Sequence, residues 1–109
     1  MKEAKRLHEA VPAKIRRAVR QCAARYPGIR QVLLFGSRGR GDARARSDFD
    51  LAVVSPDLSH AEWSRFFAEM EDSFPSLCHL DLILLQPGNH PELHRNVRNE
   101  GKIIYERAA

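Results

Sequence analysis

Three short apolar runs, each bounded by chain-breaking residues, constrain this chain more than any other feature. Gln31–Phe35 ends at Gly36, Phe49–Val54 is closed by Ser55 and Pro56, and Leu80–Leu85 stops just before Pro87 and Gly88. Runs this short, rich in Val, Leu and Phe, match buried strands better than helices. In the second run Phe49, Leu51 and Val53 alternate with Asp50, Ala52 and Val54, so the two sets face opposite sides of a sheet. Helical periodicity surrounds the strands. Ile15, Ala18, Val19, Cys22 and Tyr26 recur at steps of three and four between Pro12 and Arg25, with Pro12 in the first turn, until Pro27 and Gly28 stop the repeat. Ser59 with Glu62 three residues on is a capping-box pattern, opening a helix that carries Trp63, Phe66, Phe67 and Met70 inward as core as far as about Phe74. Pro87, Gly88 and Pro91 form a turn. Glu92 to Asn99 then reads as a short helix with Leu93 and Val97 inward and Gly101 as C-cap, before a last strand over Lys102 to Tyr105.

The order helix, strand, strand, helix, strand, helix, strand predicts an α/β (α+β) two-layer architecture, with a small mixed sheet flanked by helices. A single domain spans residues 1–109, residues 1–11 being a loosely ordered N-terminal extension. About a dozen residues join the first two strands, and the residues leave open whether the pair is antiparallel or part of a mixed sheet.

Composition narrows the function classes. The 109 residues are 43% hydrophobic and 29% charged, which suits one packed core and excludes a disordered tail, a fibrous repeat or a disulfide-dense module. No apolar run approaches the roughly 20 residues that span a bilayer. The N-terminus is charged with no apolar stretch behind it, so a cytoplasmic location without a membrane partner is expected. Cys22 and Cys78 show no ligand spacing, so reduced thiols are expected rather than zinc. Charge is uneven: the first thirty residues hold nine Lys or Arg against two Glu, while residues 57–93 hold seven acids against Arg65. The basic segment suits a nucleic acid, nucleotide phosphates or an acidic partner, and equally a solvated helix face.

A small constellation carries chemistry. Gly36 and Ser37 follow the first strand, Asp48 and Asp50 open the second, and Asp81 interrupts the third. Asp48 and Asp50, two residues apart, project to one face of a strand, where adjacent carboxylates repel unless a cation neutralises them. An all-oxygen set suits Mg2+, or Mn2+, bridging substrate phosphates. Asp81 completes a site for two metals or acts as a base toward an attacking hydroxyl. Gly36 allows close approach of a phosphate, Ser37 offers its hydroxyl and N–H, and Arg38 and Arg40 add charge. Taken alone, Asp48 reads as a turn residue and Asp50 as a solvent-facing strand position; Asp81 within LDLILL resists that reading, because a carboxylate in an apolar run is costly unless paired. The five histidines show no ligand pattern. The GxxxxGK[ST] and GxGxxG phosphate loops are both absent.

The run FGSRGRGDARARSDFDLAV, Phe35 to Val53, resembles the signature of the minimal nucleotidyltransferases (MNT domains) of the DNA polymerase β superfamily: Gly-Ser, about ten residues, Asp-x-Asp, then a third carboxylate on a later strand. HLDLILL supplies Asp81, GKIIYE resembles the family's usual end, and the resemblance runs from about Ile15 onward. It implies a polymerase β-like fold in which Gly36 and Ser37 hold a triphosphate and Asp48, Asp50 and Asp81 are catalytic and hold magnesium, with ATP as substrate. It also implies similarity to the MntA-like antitoxins of HEPN/MNT toxin–antitoxin systems. The expected activity is transfer of AMP to a hydroxyl, a tyrosine, of a HEPN-domain toxin, in a hetero-oligomer of type VII-like logic and without direct nucleic-acid binding. The competing expectations are a non-catalytic module that masks the toxin sterically, and nucleotidyl transfer to a small molecule. The basic first helix and the acidic stretch from Asp57 to Asp81 are the two candidate docking faces.

Overall fold

The computed structural model describes residues 5–6, 11–36 and 48–108. In chain order the elements are β1 (Lys5–Arg6), α1 (Ala13–Ala24), β2 (Gln31–Phe35), β3 (Phe49–Val54), α2 (His60–Ser73), β4 (Leu80–Leu85), α3 (Pro91–Glu100) and β5 (Lys102–Glu106). The strands form one mixed sheet in the order β1-β5-β2-β3-β4. β2 runs antiparallel to both β3 and β5, β4 runs parallel to β3, and the two-residue β1 runs parallel to β5. The open question of the first pairing thus resolves to an antiparallel β2–β3 pair inside a mixed sheet.

Alternation along the strands divides the core. Val32, Leu34, Phe49, Leu51, Val53 and Leu82 pack on one face against Ile15, Val19, Cys22 and Ala23 of α1 and Phe66 and Met70 of α2. Tyr26 joins the two helices: its ring meets Phe66 edge-on at 5.7 Å and its hydroxyl donates to Glu69 at 2.9 Å. Trp63 and Phe67 are half-buried against the same cluster. On the other face Leu33, Ala52 and Leu85 pack with Val97 and Leu93 of α3, so a short helix adds a partial third layer to the expected two. That helix starts at Pro91, which the sequence assigned to the preceding turn; proline suits a first helical position because its missing N–H has no intrahelical partner there. Pro12, by contrast, is the N-cap of α1 rather than part of its first turn.

Local chemistry fixes the joints. The capping box at Ser59 forms, with the Glu62 N–H donating to Ser59 Oγ and the Ser59 N–H to Glu62, both at 3.1 Å. Buried Ser55 donates to the Gly28 carbonyl at 2.5 Å, tying the α1–β2 turn to the end of β3. The β2–β5 register shifts between Val32 and Leu33, a bulge that leaves Ile104 without a ladder partner. Arg20 Nε donates to the freed Ile104 carbonyl at 3.1 Å, and Arg25 pairs with Glu69 at 3.4 Å. Part of the basic segment therefore holds the fold together.

Gly101 ends α3 with its N–H on the Val97 carbonyl at 2.7 Å, and a Cβ there would overlap that carbonyl oxygen. Gly101→Ala should accordingly cost about 1–3 kcal/mol, the scale of forcing extra volume into a packed site. Ser59→Ala should cost about 1 kcal/mol through the lost cap. Urea titration followed by circular dichroism checks both, and an alanine at Gly101 with unchanged stability contradicts the close approach described.

Candidate active site

The site is assembled at one end of β2, β3 and β4 by two registers. Phe35 pairs with Asp50 across the antiparallel pair, and Asp50 pairs with Asp81 across the parallel pair. Residues side by side on neighbouring strands share a face, so the Asp50 and Asp81 carboxyl groups lie together on the α3 side of the sheet. Their backbones are held from behind: Phe49 is buried among the core residues, edge-on to Phe74 at 5.3 Å, and its N–H donates to the His79 carbonyl at 2.9 Å. Asp48 sits one step before β3 and is exposed.

Gly36 closes β2 at a φ of 67°, in the left-handed region, and a Cβ on it would overlap the Asp50 carboxylate. Glycine is therefore required twice, for the backbone conformation and for the approach of the backbone to a carboxylate. Ser37, Arg38 and Arg40 lie outside the described residues.

Electrostatics mark Asp50. Partial burial, then the nearby charges of Asp81 and Asp48, raise its pKa above the ordinary carboxylate value, and a hydrogen bond with Asp81 adds to the rise while His79 opposes it. His79 was passed over in the sequence as an isolated histidine. Its Nε2 lies 3.4 Å from Asp81 Oδ1, both side chains being more than half exposed. Its place two residues before Asp81, on the same strand face, was the available signal. His94, by contrast, is structural, its Nε2 lying 3.1 Å from both the Gln86 carbonyl and Asn89 Oδ1.

The donor set fits a hard divalent cation: oxygen ligands, two of them adjacent, with mutual repulsion that a cation would relieve. The arrangement is a pair with a third carboxylate nearby rather than a closed cage, since among the described residues no three His, Cys, Asp or Glu side chains form a ready metal cluster. Both cysteines are free, as expected, and no described helix is long and apolar enough to cross a membrane.

A carboxyl with a higher pKa in the folded than in the unfolded chain favours folding while it is protonated, and that contribution is lost as pH rises through the raised value. Ionised Asp50 is thus unfavourable for the cation-free fold. Asp50→Asn should raise the thermal midpoint in EDTA at neutral pH, with the difference shrinking as pH falls and Asp50 protonates; an unchanged or lowered midpoint contradicts the strained carboxylate pair. Gly36→Ala should lower stability by about 1–3 kcal/mol, measured by the same melts.

Residues 17–109 match the family model described as polymerase beta, nucleotidyltransferase. No curated protein matches the chain significantly. Solved structures share its fold. A candidate nucleotidyltransferase from Sulfolobus solfataricus aligns with a TM-score of 0.58 at 24% identity, over 84% of this chain and 77% of that one. A toxin–antitoxin complex with AMP-PNP aligns at 0.60 and 24%, over 84% and 73%. The MntA-HepT toxin–antitoxin structure aligns at 0.56 and 20%, over 80% and 66%. With residues 17–109, most of its length, matched by the family model, the chain belongs to the polymerase β nucleotidyltransferase family.

Proposed function

We propose that this protein transfers AMP from ATP to a tyrosine hydroxyl of a HEPN-domain toxin and so serves as the antitoxin of the pair. The observation that carries the reading is the adjacent Asp50 and Asp81 carboxyls on one sheet face, with the Gly36 backbone against the Asp50 carboxyl. Support for the nucleotide and the partner comes from similarity to structures described as a toxin–antitoxin with AMP-PNP and as MntA-HepT.

In this reading Asp48, Asp50 and Asp81 hold Mg2+, which when bound supplies positive charge to the phosphate oxygens as charge develops in the transition state. Gly36 and Ser37 lie along the triphosphate, with Arg38 and Arg40 adding charge. Asp81 receives the acceptor's proton. The acceptor oxygen forms a bond to the α-phosphorus, the bond from that phosphorus to the bridging oxygen of the β-phosphate breaks, and pyrophosphate leaves with the electron pair.

A second reading is a non-catalytic module that masks the toxin. Incubation with Mg2+, ATP labelled at the α-phosphate and a HEPN-domain toxin that forms a complex with the chain separates the two. The first reading predicts label on the toxin, lowered about 10²–10³-fold by Asp50→Asn, the scale of losing a charge-stabilising group. A folded complex that transfers no label from any of the four nucleotides, and an Asp48→Asn, Asp50→Asn variant that still neutralises toxicity, establish masking.

A further inference from the structure

We propose that the outer edge of β4 is a strand-addition site for an extended, basic, hydroxyl-bearing segment of another polypeptide, and that pairing there presents the acceptor hydroxyl beside Asp81. This rests on the nucleotidyl-transfer reading and names how its acceptor is held.

β4 is the last strand of the sheet, so among the described residues one of its edges faces no strand. The ladder fixes which groups point outward. The Phe49 N–H donates to the His79 carbonyl at 2.9 Å and the Ser55 N–H to the Leu85 carbonyl at 3.2 Å. Backbone groups alternate sides along a strand, so those of Asp81, Ile83 and Leu85 face β3 while those of Leu80, Leu82 and Leu84 face out. The Leu84 carbonyl is capped by Asn89 Nδ2 at 3.0 Å. Among the described residues no side chain bonds the outward N–H and carbonyl of Leu80 and Leu82.

Exposed sheet edges are ordinarily guarded by lysine, proline, a bulge or very short length. LDLILL has none of these, its single charge being Asp81 on the face shared with Asp50, and its register with β3 is unbroken. The opposite side of the sheet differs, since β1 pairs along β5. A mostly apolar edge whose one charge belongs to the carboxylate pair is explained if a partner strand covers it.

Geometry and charge specify that strand. Added about 4.8 Å from β4, it sets one side chain beside Asp81 on the face that holds Asp50, and its two neighbours beside Leu80 and Leu82. The pattern read is apolar, hydroxyl, apolar. At the start of β4 a hollow of about 190 Å3 is lined by Glu71, Phe74, Ser76, Cys78, His79 and Leu80, and Leu77 stands fully exposed next to it. Glu71 there, within the acidic stretch 57–93, suits a lysine or arginine one or two residues along the added strand. The same acidity disfavours a second copy of this edge as occupant.

Amide hydrogen exchange of the full chain, read residue by residue by NMR without ATP or metal, tests the proposal. The probe is a lysine-flanked synthetic peptide with a Val-Tyr-Val centre. Leu80 and Leu82 amides should exchange fast in the free protein and slow about tenfold or more with peptide, as newly hydrogen-bonded amides do. Methylating the peptide's backbone nitrogens on one alternate set of residues should abolish the protection, methylating the other set should not, and Glu71→Lys should weaken it. No protection up to millimolar peptide overturns the proposal, as does protection that appears with rising protein concentration alone. The Asp48→Asn, Asp50→Asn variant should keep the protection and lose transfer. In a parallel assay with Mg2+ and ATP labelled at the α-phosphate, transfer to the peptide without protection overturns the docking mode alone; protection with neither peptide nor toxin labelled supports docking and overturns the nucleotidyl-transfer reading.

Discussion

Everything in this structure follows from β3 being clamped between an antiparallel neighbour and a parallel one. Its side chains alternate strictly, so burying Phe49, Leu51 and Val53 against α1 and α2 forces Asp50 to the opposite face. A slip of one residue would drive Asp50 into the core and expose Phe49, which hydrophobic burial forbids. The same two registers bring Phe35 and Gly36 to one side of Asp50 and Asp81 to the other. Core packing thus places the carboxylates, and the carboxylates contribute nothing favourable to the packing.

That arrangement carries a local penalty. Partial burial and two like charges raise the Asp50 pKa, and Gly36 adopts a backbone conformation that side chains avoid. Strain and repulsion gathered at one end of three strands, among described residues that are otherwise well satisfied, are what the proposed chemistry at this site requires. Among the described residues no buried side-chain polar atom lacks a hydrogen-bond partner. The family to which the chain belongs agrees with that distribution, since nucleotidyl transfer needs charge concentrated where phosphates bind.

Much of this was legible in the residues. The extents of β2, β3 and β4 and the capping box at Ser59 are local signals, read from period-two alternation and side-chain hydrogen bonding. What escaped was long-range. Nothing near Asp81 in sequence says that β4 runs parallel to β3 with Asp50 alongside. The bulge that frees the Ile104 carbonyl for Arg20 joins distant segments by tertiary geometry, whereas the contact of His79 with Asp81 and the Asn89 cap on Leu84 are local and were passed over. Pro91 was misplaced because proline signals a turn and a first helical residue equally well. Ser37, Arg38 and Arg40 rest on the resemblance of their motif and lie outside the described residues.

The central claim is that Asp50 and Asp81 act as one electrostatic unit made for a divalent cation. Carboxyl carbon resonances of the aspartates, followed through a pH titration by NMR with and without Mg2+, test it most directly. The account predicts that Asp50 titrates above the ordinary carboxylate range in metal-free protein, that Asp81→Asn lowers that value, and that Mg2+ lowers it while shifting the Asp48, Asp50 and Asp81 signals. An Asp50 that titrates normally and ignores both Mg2+ and the loss of the Asp81 charge would contradict the account.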